Sequence, residues 1–239
     1  MTTLIVVAVE KEAEAIARCG ARVVVAGIGR TNAAAETTRA ILQDGPFDCV
    51  ISAGIAGALP GSGLVHGDLV LASECVYVEE GLMTPEGFRD MRGLGFPLGD
   101  FEGNRVPVDS ARAASAARAL GIRLGPIATV ATCSGSDAAA AEVVRRTGAV
   151  AEAMEGAAVV HAGRRLRIPG LELRAISNTT GNRTSQQWNI AAALDALRVG
   201  VDRVLAALDE DARPHADKDA AKDFAKDAAK HSSSQAHGK

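Results

Sequence analysis

Aromatic residues are scarce in this 239-residue chain: one Trp, one Tyr and five Phe, 3% of the total. A core that cannot be built on rings must come from Val, Leu, Ile and Ala, which suits a parallel or mixed sheet covered by Ala-rich helices. Cysteine is sparse too. Cys19, Cys49, Cys75 and Cys133 lie far apart with no CxxC pair, which argues against disulfides and a zinc site and makes a reducing cytoplasm the expected setting. No HExxH or clustered His/Asp/Cys spacing occurs, so neither a metal nor a cofactor is expected. The formal charge is −3 with no basic stripe, so nucleic acid is not an expected partner. The opening apolar run "LIVVAV" is too short to span a bilayer and follows no charged leader, so neither a membrane nor a secretory signal is expected.

What remains is a chain of 47% hydrophobic residues, long enough to bury a real core. Apolar runs of strand length alternate with helical patterns: Leu4–Val9, Arg22–Gly27, Asp48–Ala53, Asp68–Tyr77, Ile127–Thr132 and Leu171–Ile176 as strands. Helices are expected after Glu10, over Ala33–Leu42, Ser110–Leu120, Asp137–Arg146, Met154–Leu166 and Ile190–Leu208. Alternation of this kind predicts an α/β domain, a central sheet with helices on its faces. Two stretches resist the pattern. "GIAGALPGSG" is too rich in glycine for helix or strand, and residues 80–107 carry many Gly and Pro with little periodicity, so both are expected to be irregular. The folded domain is expected over residues 1–208. Residues 209–239, rich in Asp, Lys and Ala, bury too little apolar surface to offset ordering entropy and are expected to be a disordered tail.

Several residues invite a chemical reading. "AGIGRTN" has two glycines of a dinucleotide fingerprint but Asn32 in place of the third. Its backbone could cradle an anion or a hydroxyl-rich ligand, or simply form a tight turn. Glu10 and Glu12 suit the first turn of a helix without any ligand. Glu155, in "AMEGAA", is different: a lone carboxylate among Met154, Gly156, Ala157 and Ala158 asks for a ligand hydroxyl or a cation. His161 falls off the helical face of Glu155 and reads as structural. Cys133 has no base nearby in sequence and reads as a buried small hydrophobe. In "LELRAISNTTGNR" an apolar strand empties into a polar loop at Ser177 and Asn178, where ligands bind in open α/β sheets.

Taken in order, "AVEKE", "SAGIAG", "AMEGAA" and "RAISN" resemble the purine nucleoside phosphorylase and nucleosidase superfamily over roughly Leu4 to Leu208. "MEGAA" followed by "RAISNTTGNRTSQQWNI" is most similar to its futalosine hydrolase family, which cleaves the N-glycosidic bond of futalosine to hypoxanthine and dehypoxanthine futalosine in menaquinone biosynthesis. The resemblance implies a three-layer nucleoside-phosphorylase-like fold, a central mixed, partly barrel-like sheet flanked by helices, assembled as a homo-oligomer. It implies a small-molecule nucleoside substrate, with Glu12 as the base that deprotonates water, Glu155 as acceptor for the ribose hydroxyls, and Met154 beneath the sugar. Gly54 and Ile55 belong to the loop that borders substrate.

Asn178 stands where similar methylthioadenosine nucleosidases carry Asp. Adenine offers an acceptor at N7 and a donor at its 6-amino group, whereas hypoxanthine offers acceptors at both N7 and O6. An amide NH2 suits the second pattern, and stabilises charge on the departing base without delivering a proton. No Arg lies between Val50 and Leu64 to hold phosphate, so water is the expected nucleophile; Arg30 keeps a phosphate site open. Arg183 and Trp188 are candidates for enclosing the benzoate end. A 6-oxopurine nucleoside phosphorylase, a methylthioadenosine or aminodeoxyfutalosine nucleosidase and a non-catalytic nucleoside-binding protein are the alternatives.

Overall fold

The computed structural model describes residues 1–212. The elements begin β1 (Thr3–Val7), α1 (Glu10–Ala15), β2 (Arg22–Val25), α2 (Arg30–Asp44), β3 (Cys49–Ala58) and β4 (Leu69–Tyr77). They continue with β5 (Gly81–Thr84), β6 (Gly87–Asp90), α3 (Met91–Leu94), β7 (Arg105–Pro107), α4 (Ser110–Leu120) and β8 (Arg123–Thr129). The last are α5 (Asp137–Thr147), β9 (Ala151–Ala153), α6 (Gly156–Arg165), β10 (Gly170–Thr179) and α7 (Ile190–Ala212). The first four residues of the expected tail continue α7, and positions 213–239 lie outside the described residues.

β3 pairs with β10, β10 with β4, β4 with β8, β8 with β9, and β9 returns to β3, so five strands close into a ring. β1 and β2 extend the sheet in parallel from the first half of β3, and β7 pairs antiparallel with β4. The sheet is therefore mixed and partly closed, as expected. Its strands are Val-, Ile-, Leu- and Ala-rich because both faces are covered: Leu4, Ile5, Ile51, Leu71, Ile127 and Leu173 are all fully or almost fully buried. Helix ends follow local chemistry. Asp109 and Ser136 accept the N–H groups of Arg112 and Ala139 at the starts of α4 and α5, and Gly121 and Gly148 close those helices in the left-handed region at φ 67° and 68°. In α6, "GAAVVHAG", small residues let the helix lie close on the sheet; a Cβ on Gly163 would come 2.5 Å from Val50.

The structure overturns both expectations of irregularity. Residues 80–107 are not irregular throughout, since they hold the β5–β6 hairpin, α3 and β7. "GIAG" is not loop either: β3 runs on through Gly54–Ala58, because β10 and β9 supply its backbone partners on either side. Both glycines make room for neighbouring side chains. A Cβ on Gly54 would stand 2.6 Å from Glu12 Oε1 and 2.7 Å from Arg174 Nη1, and one on Gly57 would meet Thr180 at 2.8 Å and Asn178 Nδ2 at 3.1 Å.

Candidate active site

A cleft of about 480 Å3 opens just past the end of β1 and along the carboxyl-terminal residues of β3 and β10. It gathers Glu12, Ile55, Met154, Glu155, Asn178, Arg183 and Trp188, residues scattered over 177 positions of sequence (188 less 12, with both ends counted). Gly54 does not line it, but sits behind Glu12 and Arg174, where its missing side chain admits both.

Glu12 is buried, 3% exposed. It lies in the first turn of α1 and its carboxylate folds back to satisfy the free N–H groups there. Oε2 accepts from the N–H of Ala8 at 2.9 Å and Val9 at 3.3 Å, while Oε1 accepts from Ile55 N–H at 2.9 Å. Three donors hold the acid in one orientation at the cleft wall. Glu155 stands at the start of α6, also buried, with Oε1 accepting from Gly29 N–H at 3.0 Å. The glycine turn "AGIGRTN" thus spends a backbone donor on this carboxylate.

Between them lies a group that the local sequence pattern did not single out. Arg174, 1% exposed, donates from Nε to Glu172 Oε1 at 2.9 Å and from Nη2 to Ser52 Oγ at 3.0 Å, and its Nη2 lies 3.5 Å from Glu155 Oε2. Burial opposes its charge, but Glu172, Glu155 and Glu12 hold it firmly protonated. Glu172 is wholly buried, and burial pushes its carboxyl above the ordinary range against the pull of Arg174. The readable signal is "LELR": two charges two positions apart share one face of an apolar strand, and neither belongs in a core unless paired. A Cβ on Gly156 would fall 2.0 Å from the Glu172 carboxyl, so the glycine of "MEGAA" makes room for it.

Asn178 lies inside β10 rather than in a loop beyond it. Pairing continues to Thr179, and the register shifts between Ile176 and Asn178, leaving Ser177 as the extra residue of a bulge. The bulge re-aims the amide. Nδ2 donates to Thr179 O at 2.9 Å and Oδ1 accepts from Ser177 Oγ at 2.9 Å, an arrangement that fixes which end is NH2 and leaves one N–H unspent. Glu152, also missed, lines the cleft from β9; Ser134 donates to its two oxygens from N–H at 2.8 Å and from Oγ at 2.6 Å. Burial chiefly raises its pKa.

The remaining candidates divide. Trp188 is 46% exposed over the cleft, and the Arg183 guanidinium lies 5.0 Å from its ring centroid. Arg183 also donates to Gln186 and has no carboxylate partner among the described residues. Cys133 corrects an expectation: it is exposed and lines the cleft instead of being buried. Desolvation, then Glu152 and Glu155, raise its thiol pKa, which disfavours a thiolate nucleophile. His161 packs edge-on against Phe101, near Tyr77 and outside the cleft. Arg30 is engaged by Glu80 at 2.5 Å and Glu79 at 3.3 Å.

Residues 3–232 match the family model described as the phosphorylase superfamily. The chain belongs to the phosphorylase superfamily. Within it, the chain is 39% identical over 195 residues to a futalosine hydrolase of Streptomyces coelicolor, covering 80% of each chain. It is 38% identical over 192 residues to a futalosine hydrolase of Thermus thermophilus, covering 79% of this chain and 82% of that one. Among solved structures, the native futalosine hydrolase of Helicobacter pylori superposes with a TM-score of 0.69 at 21% identity, covering 88% of this chain and 98% of that one. A methylthioadenosine/adenosylhomocysteine nucleosidase of S. pneumoniae gives 0.71 at 21% identity, over 87% and 100%. At that identity the likeness speaks for the three-layer α/β fold of this superfamily. No helix among the described residues is long and apolar enough to cross a membrane.

Proposed function

We propose that this chain hydrolyses the N-glycosidic bond of futalosine, releasing hypoxanthine and dehypoxanthine futalosine, as a cytoplasmic homo-oligomer in menaquinone biosynthesis. Its relatives at 38–39% identity are futalosine hydrolases, and the observation that carries the reading within this chain is the Asn178 amide. Thr179 O and Ser177 Oγ fix that amide with an N–H to spare, which suits a base presenting acceptors at N7 and O6.

The chemistry follows from the charge layout. Water attacks C1′ as the C1′–N9 bond breaks and the bonding pair leaves with the purine. Glu12 takes the water proton, its carboxylate held by three backbone donors. Glu155 accepts from the ribose hydroxyls with the lone pairs that Gly29 and Arg174 leave free, and Met154 packs beneath the sugar. The ribosyl ring, which becomes cationic, is thereby flanked by carboxylates, and the negative purine meets the Asn178 donor until a solvent proton converts it to hypoxanthine, while Glu12 returns its proton to water. Arg183 and Trp188 enclose the benzoate end, the exposed guanidinium answering the substrate carboxylate. Pairing of Arg30 with Glu79 and Glu80 leaves it poorly placed to hold phosphate, which favours water as nucleophile.

The test is release of the purine base, hypoxanthine from futalosine and inosine and adenine from aminodeoxyfutalosine and methylthioadenosine, with and without phosphate. Futalosine should be preferred and phosphate should have no effect. A strict phosphate requirement would make the chain a phosphorylase, and preference for methylthioadenosine would overturn the reading of Asn178.

A further inference from the structure

Across β9, β3 and β10, Glu152 and Asn178 occupy the same level. Glu152 pairs in register with Gly57 from one side, and Asn178 pairs with the same Gly57 from the other. Register partners project to the same face of a sheet, and all three residues line the cleft. With neighbouring strands about 4.8 Å apart, the Cα atoms of Glu152 and Asn178 stand roughly 10 Å from one another across a residue with no side chain.

Glu152 is 5% exposed, and no Lys, Arg or His pairs with it among the described residues. A carboxylate buried against an apolar cleft without a counter-ion is costly unless hydrogen bonds satisfy it. Ser134 supplies one donor to each oxygen, which leaves further lone pairs on both. What the group still lacks is a donor. Along one edge, a 6-oxopurine presents N7 and O6 as acceptors and then N1–H as a donor. Adenine reverses the last two, with a 6-amino donor followed by an N1 lone pair.

We infer that Glu152 is a second base-reading residue, whose carboxylate accepts the N1–H of the 6-oxopurine while Asn178 donates to its N7/O6 side. This rests on the proposed 6-oxopurine substrate. It adds that selectivity is written twice along one edge: adenine would set its N1 lone pair against the Glu152 carboxylate as well as its amine against the Asn178 donor. The Glu152 contact opposes adenine whichever way the Asn178 amide is turned.

Competitive inhibition of futalosine cleavage by hypoxanthine and by 1-methylhypoxanthine isolates the N1–H. Wild-type protein should bind 1-methylhypoxanthine about 100-fold more weakly or worse, because the methyl removes the donor and crowds the acid. Glu152→Ala should bring the two inhibition constants to within about fivefold, chiefly by weakening hypoxanthine. Glu152→Gln, which keeps the volume and one acceptor oxygen, should give an intermediate ratio. Ser134→Ala removes the hydroxyl donor but keeps the backbone N–H and the carboxylate, so it should lower thermal stability while preserving most of the wild-type ratio. If Glu152→Ala weakens both bases equally, or leaves their ratio at the wild-type value, Glu152 only ties down the Ser134 segment and the inference is wrong. Futalosine cleavage by the wild type is scored separately: its absence overturns the proposed function, whereas intact cleavage with an unchanged ratio overturns this inference alone.

Discussion

Replacing Glu12 by Gln separates chemistry from scaffold. The carboxylate accepts Ala8 and Val9 N–H on one oxygen and Ile55 N–H on the other. A Gln amide has a single accepting oxygen. Turned toward Ala8 and Val9, it keeps two bonds and sets its NH2 against the Ile55 N–H. One unmet buried donor costs about 1–3 kcal/mol. At roughly 2–4 °C per kcal/mol for a chain of this size, melting should fall by about 2–12 °C, and the variant should remain folded at assay temperature. Loss of a general base costs about 10²–10⁴-fold, or roughly 3–5 kcal/mol of barrier at 1.36 kcal/mol per decade. Glu12 is not assigned to ribose binding, so the fall should appear in kcat with KM nearly constant. Hypoxanthine release coupled to xanthine oxidase measures the rate, and circular dichroism measures the melt. A variant that melts in this range but turns over futalosine within about tenfold of wild type would refute the assignment. A loss confined to KM would make Glu12 a binding residue instead.

Two further perturbations probe other parts of the site. Asn178→Asp places a carboxyl oxygen 2.9 Å from Thr179 O, where the amide now donates, so the new group should stay protonated to keep that bond. Futalosine cleavage should fall by about 10²-fold or more while methylthioadenosine cleavage rises, most clearly at low pH; unchanged preference across a substrate panel would count against base reading at this position. The second concerns stability against pH. Burial raises the Glu172 pKa in the fold, so its contribution is full below the ordinary Glu range and is lost as pH rises through the raised value. Glu172→Gln imitates the protonated form. Wild type should lose stability relative to this variant from about pH 4.3 upward in urea titrations. A difference that stays constant with pH would show that folding does not raise the Glu172 pKa.

The sequence was most informative where a local rule acts alone. The expected span of α4 and the start of α5 agree with the structure, because an Asp or Ser cap and a terminal Gly are short-range chemistry. It misled where a residue serves a distant neighbour. Gly54 and Gly57 look like strand breakers, yet each is a vacancy filled by side chains from other elements, Arg174 and Glu12 at one and Thr180 and Asn178 at the other. Asn178 was visible as a polar intrusion, but the bulge that turns it depends on the register between β10 and β3, which no local pattern encodes. Glu172 and Arg174 stand as two charges in an apolar strand, and their pairing becomes evident only when Ser52 and Glu155 arrive beside them. The short β9 was missed because three residues cannot establish a period; it exists through its neighbours, and it carries Glu152.

Closure of five strands into a ring also governs how copies of this chain can meet. Of the main sheet's strands, β2 and β7 alone have a single strand partner among the described residues, and they are four and three residues long. Exposed arginines begin both, and Pro107, which cannot donate a backbone N–H, ends β7. The main sheet thus has little open backbone on which another chain could zip. Copies of this protein that met across it would be held by interdigitating side chains, and could come apart without unravelling it.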